Sequence, residues 1–316
     1  MNKKIIQLIN NSKTIAIFFH INPDGDAIGS SLALKYGLEK LGKKVFVFSN
    51  DPIPERLVMF NSNDIILNKT NEKYDLAIVL DCGDIRRIGN MSSVFNNCKN
   101  SVNIDHHLAN TNFTDVVLCN TETSSTCELI YNLLKDLNIE FNNEICKCLY
   151  VGMATDSGSF MFNISKNLHK IANELVEKID NLEQINYILF REKTKEEIML
   201  YAEAMSRLEF HLNNRLALTY ISLKDLEKLN LEQDKTTGLI FLLSGLKDID
   251  VICVVCEEKQ GIHKVAFRSN KTNVQALASL FGGGGHKFAS GCKIYGGKNL
   301  VKRTIIEKTK EYLCTE

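Results

Sequence analysis

Four apolar segments in the first half of the chain each lead into ionisable groups, and this repetition constrains the fold more than any other feature. Thr14 to Phe19 runs into His20-Ile21-Asn22-Pro23-Asp24-Gly25-Asp26, and Leu76 to Leu80 ends on Asp81. Ser101 to Ile104 ends on Asp105-His106-His107, and Met153-Ala154-Thr155 leads to Asp156. Near-continuous apolar runs are typical of strands covered on both faces, as in a parallel sheet. In such a sheet ligands bind beyond the carboxyl ends of the strands. The ionisable groups are therefore expected to converge on one edge.

Around these segments strand and helix patterns alternate. Lys44 to Ser49 and Asp75 to Leu80 read as strands, and Ala27 to Leu41 as a helix stopping at Gly42. Ser125-Thr126-Cys127-Glu128 has capping-box spacing and opens a helix to about Leu137. Asn142 to Thr155 reads as another helix. Strands separated by helices predict a mainly parallel sheet with helices on both faces. From about Asn167 to Arg207 the chain is helical and charged. Beyond it, Leu216 to Ser222 reads as a strand, and Val251 to Glu257 with His263 to Ser269 as a hairpin turning near Gln260-Gly261. Val274 to Phe281 and Leu300 to Tyr312 read as helices. The expected class is α/β: a parallel-sheet domain over 1–185, a helical linker over 186–207 and a smaller α+β domain over 208–316. A chain of 316 residues fits two domains.

The formal net charge is zero, so no global basic field recruits long nucleic acid, and a polyanion needs a local site. No apolar run is long enough to span a bilayer, and polar residues follow Met1 to Ile6 too early for a secretory segment. The ten cysteines are then expected to be reduced, in the cytoplasm. Cys253 and Cys256 have redox-motif spacing, but in a strand pattern residues three apart face opposite sides. They read as small buried residues, as do Cys146 and Cys148.

Taken singly, Asp24 and Asp26 fit a turn and a helix start, and Asp81 a strand end. Taken together, His20, Asp24, Asp26, Asp81, Asp105, His106, His107 and Asp156 offer carboxylate and imidazole ligands without thiolate. That donor set suits two divalent ions, Mn²⁺ or Mg²⁺, rather than structural zinc. Two such ions close together activate water and clamp a phosphoryl group.

These motifs resemble the DHH phosphoesterase superfamily, which includes RecJ-type exonucleases and family II inorganic pyrophosphatases. Val265 to Ser269, Gly282 to Lys287 and Ala289-Ser290-Gly291 are similar to the DHHA1 domain. Within the superfamily the chain is most similar to the nanoRNase/pAp phosphatase type. The resemblance implies that His20 and Asp24 bind one metal, Asp26, His106 and Asp156 a second, and that Asp81 bridges both. It implies that His107 faces the phosphate and that Asp105 orients this loop. It also implies a possible homodimer.

In the second half, the glycines from Gly282 through Gly283, Gly284 and Gly285 allow positive φ and close ligand approach. Their N–H groups can cradle an anion, with His286 and Lys287 as added donors. Arg268, at a strand end beside Ser269, suits a bidentate phosphate contact. Arg86 and Arg87 are divided between substrate contact and pairing with Asp84. Ser124, Ser125 and Thr126 read as helix-capping residues, and His169, His211 and His263 as exposed or capping.

The resulting expectation is hydrolysis of short oligoribonucleotides and of 3′-phosphoadenosine 5′-phosphate. Close alternatives are cleavage of pApA or a cyclic dinucleotide; more distant ones are pyrophosphate hydrolysis and a non-catalytic nucleotide or metal sensor.

Overall fold

A computed structural model describes residues 2–315, and the chain divides into two compact units, Met1–Glu192 and Lys193–Glu316. In the first unit the strands are β1 (Thr14–Phe18), β2 (Lys44–Phe48), β3 (Ile65–Ile66), β4 (Tyr74–Leu80), β5 (Cys98–Asp105) and β6 (Val116–Cys119). They form one sheet in the order β3-β2-β1-β4-β5-β6, with every pairing parallel. The order reverses between β1 and β4. That is the switch point at which open α/β sheets bind ligands.

Side chains alternate along each strand and feed two cores. Ile15, Ile17, Ile78, Val102 and Ile104 pack with helices α2 (Gly25–Lys40), α4 (Thr126–Asp136) and α5 (Asn143–Asp156). Ala16, Phe18, Ala77 and Val79 face the opposite side, against Ile88, Met91 and Val94. The last of these lies on α3 (Ser92–Phe95). Helix α1 (Asn2–Asn11) adds Ile5 and Ile9 to the larger core.

Helices α2 and α5 pack closely because two glycines line their contact. A Cβ on Gly29 would lie 2.4 Å from the Cys148 carbonyl oxygen of α5, and one on Gly152 would lie 3.2 Å from Asp26 Cα of α2 and 2.2 Å from Cys127 Sγ of α4. The helical stretch after Asn167 divides between the units. Helices α6 (Leu168–Val176) and α7 (Leu182–Phe190) bury Leu168, Ile171, Leu175 and Ile185 in the first core. Helix α8 (Lys195–Ser206) buries Leu200, Tyr201 and Ala204 in the second unit.

The second unit contains β7 (Glu209–His211), β8 (Leu216–Ile221), α9 (Leu223–Leu229), α10 (Thr237–Leu243), β9 (Val251–Lys259), β10 (Ile262–Arg268), α11 (Val274–Ser279), β11 (Gly284–His286), β12 (Ala289–Tyr295) and α12 (Lys298–Thr315). Its sheet runs β11-β12-β10-β9-β8-β7 and is antiparallel except for β8 with β9. The β9–β10 hairpin turns at Gln260-Gly261, where Gly261 has φ of 75°. Cys253 packs on one face with Phe267 and Leu277, and Cys256 on the other with Leu239 and Ile240, so the two thiols do not form a pair.

His263 corrects an expectation. It is buried on β10, with Nε2 3.0 Å from the Tyr220 hydroxyl, because strand alternation turns it toward the sheet's packed face.

Candidate metal centre

Strand β1 delivers His20, whose Nδ1 lies 2.8 Å from the Ile21 carbonyl. An N–H at Nδ1 donating to that oxygen leaves Nε2 with its lone pair when the ring is neutral, which is the form that ligates a metal. Asp24 caps α2, its Oδ1 accepting from the Asp26 and Ala27 N–H groups, both at 3.1 Å. Asp26 follows on the first turn of α2 and is fully buried.

The N-terminus of a second helix holds Asp26. Its Oδ2 accepts from the Thr126 N–H at 2.7 Å and its Oδ1 from the Cys127 N–H at 2.8 Å. These are amides at the positive end of α4, which favour a carboxylate. Ser125 caps α4 as its spacing suggests, accepting from Glu128 N–H at 3.3 Å. The reciprocal half of the capping box differs: Glu128 Oε2 accepts from the N–H and the hydroxyl of Ser124, each at 2.9 Å.

Asp81 stands directly after β4 with φ of 53°, a left-handed conformation uncommon outside glycine. That backbone lets its two oxygens address opposite partners. His20 Nε2 lies 3.3 Å from Oδ2, while His106 Nε2 lies 3.5 Å from Oδ1. The Thr126 hydroxyl donates to Oδ1 at 3.1 Å. Asp24 lies 3.8 Å from His20 Nε2, so His20, Asp24 and Asp81 form one triad. Around His106, Asp156 at 3.5 Å and Asp26 at 3.9 Å form another.

Asp105 is fully buried at the end of β5 and organises the loop that follows. Its Oδ1 accepts from the N–H groups of His106 and His107 at 2.9 and 3.2 Å and lies 2.7 Å from His107 Nδ1. Asn110 Nδ2 donates to the other oxygen at 2.6 Å and to Asn103 Oδ1 at 2.7 Å. Asn103 in turn donates to the Val79 and Cys82 carbonyls, tying the β5 loop to that of β4. Neither asparagine was anticipated. The available signal was Asn103, a polar residue amid the apolar run of β5.

The electrostatics follow from burial and crowding. Burial, then the charges of Asp81 and Asp24, raise the Asp26 carboxyl well above its usual range. Burial, then Asp26, Asp24 and Asp81, do the same to Asp156. For Asp81 burial acts in the same direction, but the His20 hydrogen bond and the charges of His107, His20 and His106 prevail and hold it low. Burial pulls His106 down. It opposes protonation of His107 too, yet the Asp105 hydrogen bond and the Asp81 charge raise that ring to about 9.

This donor set fits divalent cations. Among the described residues the buried Asp156 Oδ2 has no hydrogen-bond partner, and repelling carboxylates crowd around it. A cation removes both costs. The ligands are oxygen and imidazole, suited to Mn²⁺ or Mg²⁺.

In the second unit Arg268 ends β10. Its guanidinium donates to the Phe267 carbonyl at 2.9 Å, and among the described residues no carboxylate pairs with it. Burial lowers its pKa. Ser269 is committed elsewhere: its hydroxyl donates to the Asp250 carbonyl and accepts from the Lys271 and Thr272 N–H groups. It shapes the turn after Arg268 rather than presenting a free oxygen.

The glycine run also departs from an open anion cradle. The N–H groups of Gly282 and Gly283 close the end of α11, on the Ser279 and Ala278 carbonyls. Gly284, Gly285 and His286 pair with β12 as an edge strand. A Cβ on Gly283 would sit 2.2 Å from the Gly291 carbonyl oxygen, so close backbone packing requires glycine there.

Comparison with known proteins agrees with this architecture. Residues 14–153 match the DHH family, N-terminal domain, and residues 213–313 match the DHHA1 domain. The chain is 26% identical over 300 residues to the bifunctional oligoribonuclease and PAP phosphatase NrnA of Bacillus subtilis, covering 93% of this chain and 94% of that protein. It is 28% identical to the Thermus thermophilus protein of the same name, covering 95% and 90%. A crystal structure of an exopolyphosphatase-related protein from Bacteroides fragilis matches with a TM-score of 0.91 at 27% identity, over 100% of this chain and 97% of the other.

Proposed function

The chain belongs to the DHH phosphoesterases and carries their DHHA1 domain, and from that premise we propose that it hydrolyses short oligoribonucleotides to mononucleotides and 3′-phosphoadenosine 5′-phosphate to AMP. It is a metal-dependent hydrolase of phosphoesters. The observation that carries the reading is Asp81, with one carboxylate oxygen toward each triad. Relatives named for both activities add support, because similarity to them spans nearly the whole chain.

In this reading His20, Asp24 and Asp81 would hold one divalent ion, with Mn²⁺ proposed, and Asp26, His106, Asp156 and Asp81 would hold a second. When bound, such a pair supplies an activated water and neutralises phosphoryl oxygens. The protein's residues do the remainder. The α4 N-terminus fixes Asp26, and Asp105 fixes His107. Charged His107 is suited to stabilise negative charge developing on the phosphoryl group. Water adds to phosphorus through its oxygen, the bond to the leaving oxygen breaks, and the proton that the water gives up ends on that leaving oxygen. Arg268, a half-buried cation that forms no ion pair among the described residues, would grip a substrate phosphate, and Gly283, Gly284, Gly285 and His286 would line its approach.

Among the described residues no helix is long and apolar enough to cross a membrane. A cytoplasmic location belongs to the same reading, supported by cysteines that are all free thiols. So does a homodimer, suggested by the family resemblance.

The test is Mn²⁺-dependent turnover of pApA, short and long RNA, 3′-phosphoadenosine 5′-phosphate and pyrophosphate side by side, with Asp81→Ala as control. Mononucleotides from short RNA and AMP from 3′-phosphoadenosine 5′-phosphate, both lost in the variant, support the proposal. Turnover of pyrophosphate alone overturns the substrate assignment.

A further inference from the structure

Two successive arginines follow Asp81 at close range, and the structure uses them differently. The 3-10 turn Ile85–Met91 opens on Asp84, whose Oδ1 accepts the Arg86 N–H at 2.8 Å. The same carboxylate takes the Arg86 guanidinium, with Nε 2.9 Å from Oδ1 and Nη2 2.5 Å from Oδ2. Arg86 is thus neutralised by its own neighbour. Among the described residues no carboxylate forms an ion pair with Arg87.

The backbone of Arg87 is anchored beside the metal cluster. Its carbonyl accepts the Ile21 N–H at 2.7 Å, and the Ile21 carbonyl is the partner of His20 Nδ1. Beyond Arg87, the Asn90 N–H donates to Asn50 Oδ1 at 3.0 Å. A Cβ on Gly89 would lie 2.6 Å from that oxygen and 2.9 Å from Ile21 Cγ2. The turn is therefore pinned to the His20 loop around Arg87, while the Arg87 side chain is exposed. Its charge acts on both His20 and His107. Those rings flank Asp81, at 3.3 Å from Oδ2 and 3.6 Å from Oδ1.

We propose that Arg87 is a substrate-binding residue that contacts a non-bridging oxygen of the phosphate at the solvent-facing edge of the cluster. A planar guanidinium fork without an acid partner suits a phosphate better than a neutralised one does. The pinned turn limits the ordering required on binding. This inference rests on the phosphoesterase reading.

The experiment compares wild type, Arg87→Ala, Arg87→Lys and Arg86→Ala as Mn²⁺-loaded full chains. Arg87→Ala should raise KM for 3′-phosphoadenosine 5′-phosphate by about tenfold or more, the loss expected for a hydrogen bond to a charged group. Arg87→Lys should recover part of it, Arg86→Ala should stay within about twofold, and Mn²⁺ affinity should not change in any variant. A second arm measures inorganic phosphate binding to the same proteins by calorimetry, with Arg87→Ala expected to bind more weakly than Arg86→Ala. If wild type turns over no phosphoester, the functional reading fails and the phosphate arm alone decides the role of Arg87. Equal behaviour of Arg87→Ala and Arg86→Ala, absence of phosphate binding in wild type, or loss of Mn²⁺ affinity in Arg87→Ala overturns the proposal.

Discussion

Gly29→Ala tests the link between helix packing and the candidate metal cluster. The added Cβ would stand 2.4 Å from the Cys148 carbonyl oxygen on α5, a backbone atom that cannot rotate away. Ordinary contact needs about 3.5 Å, so the helices must separate locally by roughly 1 Å. Replacing a helical glycine by alanine gains about 1 kcal/mol of propensity. Overpacking of a tight contact costs about 1–3 kcal/mol, so stability should fall by up to about 2 kcal/mol. The larger effect should be on the site. Asp26 lies one turn from Gly29 on α2, and Asp156 ends α5, with His106 between them at 3.9 and 3.5 Å. Displacement by about 1 Å is large against metal-ligand tolerances of about 0.2 Å. Mn²⁺ affinity, read by calorimetry, should drop at least about tenfold, as disturbing ligand geometry commonly does. Gly37→Ala is the control on the same helix: its Cβ meets Leu134 Cδ2 at 2.4 Å, the end of a side chain that can turn aside. Urea unfolding at constant slope checks the stability difference. A Gly29→Ala protein more stable than wild type, with unchanged Mn²⁺ affinity, would refute the reasoning.

Asp105→Asn should lower the His107 pKa from about 9 toward the ordinary histidine range, seen by NMR titration of the metal-free protein; an unmoved pKa would remove Asp105 as the cause. Burial pushes the Asp225 carboxyl up, but the Arg207 ion pair and the Ser222 hydrogen bonds prevail and hold it at about 2, a depressed carboxyl. Its stabilisation, on the order of 2 kcal/mol, is present above about pH 4 and lost as pH falls through about 2. Arg207→Ala should flatten that acid limb in unfolding measured against pH, and an unchanged limb would contradict the assignment. Chelation of divalent metal should lower the melting temperature, since the Asp26, Asp81 and Asp156 carboxylates lose their counter-charge. Saturation at about 100 times Kd should restore roughly 2.7 kcal/mol. A chelator-insensitive transition would count against the site.

The parallel sheet was legible because the run through Leu76, Ala77, Ile78, Val79 and Leu80 has no polar face. The ionisable groups after the strands identified the sheet edge for the same reason. Helix α1 was missed although Ile5 and Ile9, four apart, mark a buried helical face. The support beneath the site was less visible. Asp26 is held by amides of residues 126 and 127, and no local pattern announces a contact across about a hundred positions. The glycine run looked like an open loop because glycine permits so many conformations. Its strand state depends on close approach to β12 and is not encoded locally.

The central claim is that Asp81 joins two metal positions. Its most direct test is Mn²⁺ titration followed by electron paramagnetic resonance, on wild type and Asp81→Asn. Wild type should bind two ions per chain whose spins couple, as expected for a bridged pair about 3.5–4 Å apart. The variant should lose the coupling. One ion in wild type, or two uncoupled ions indifferent to Asp81→Asn, would contradict it.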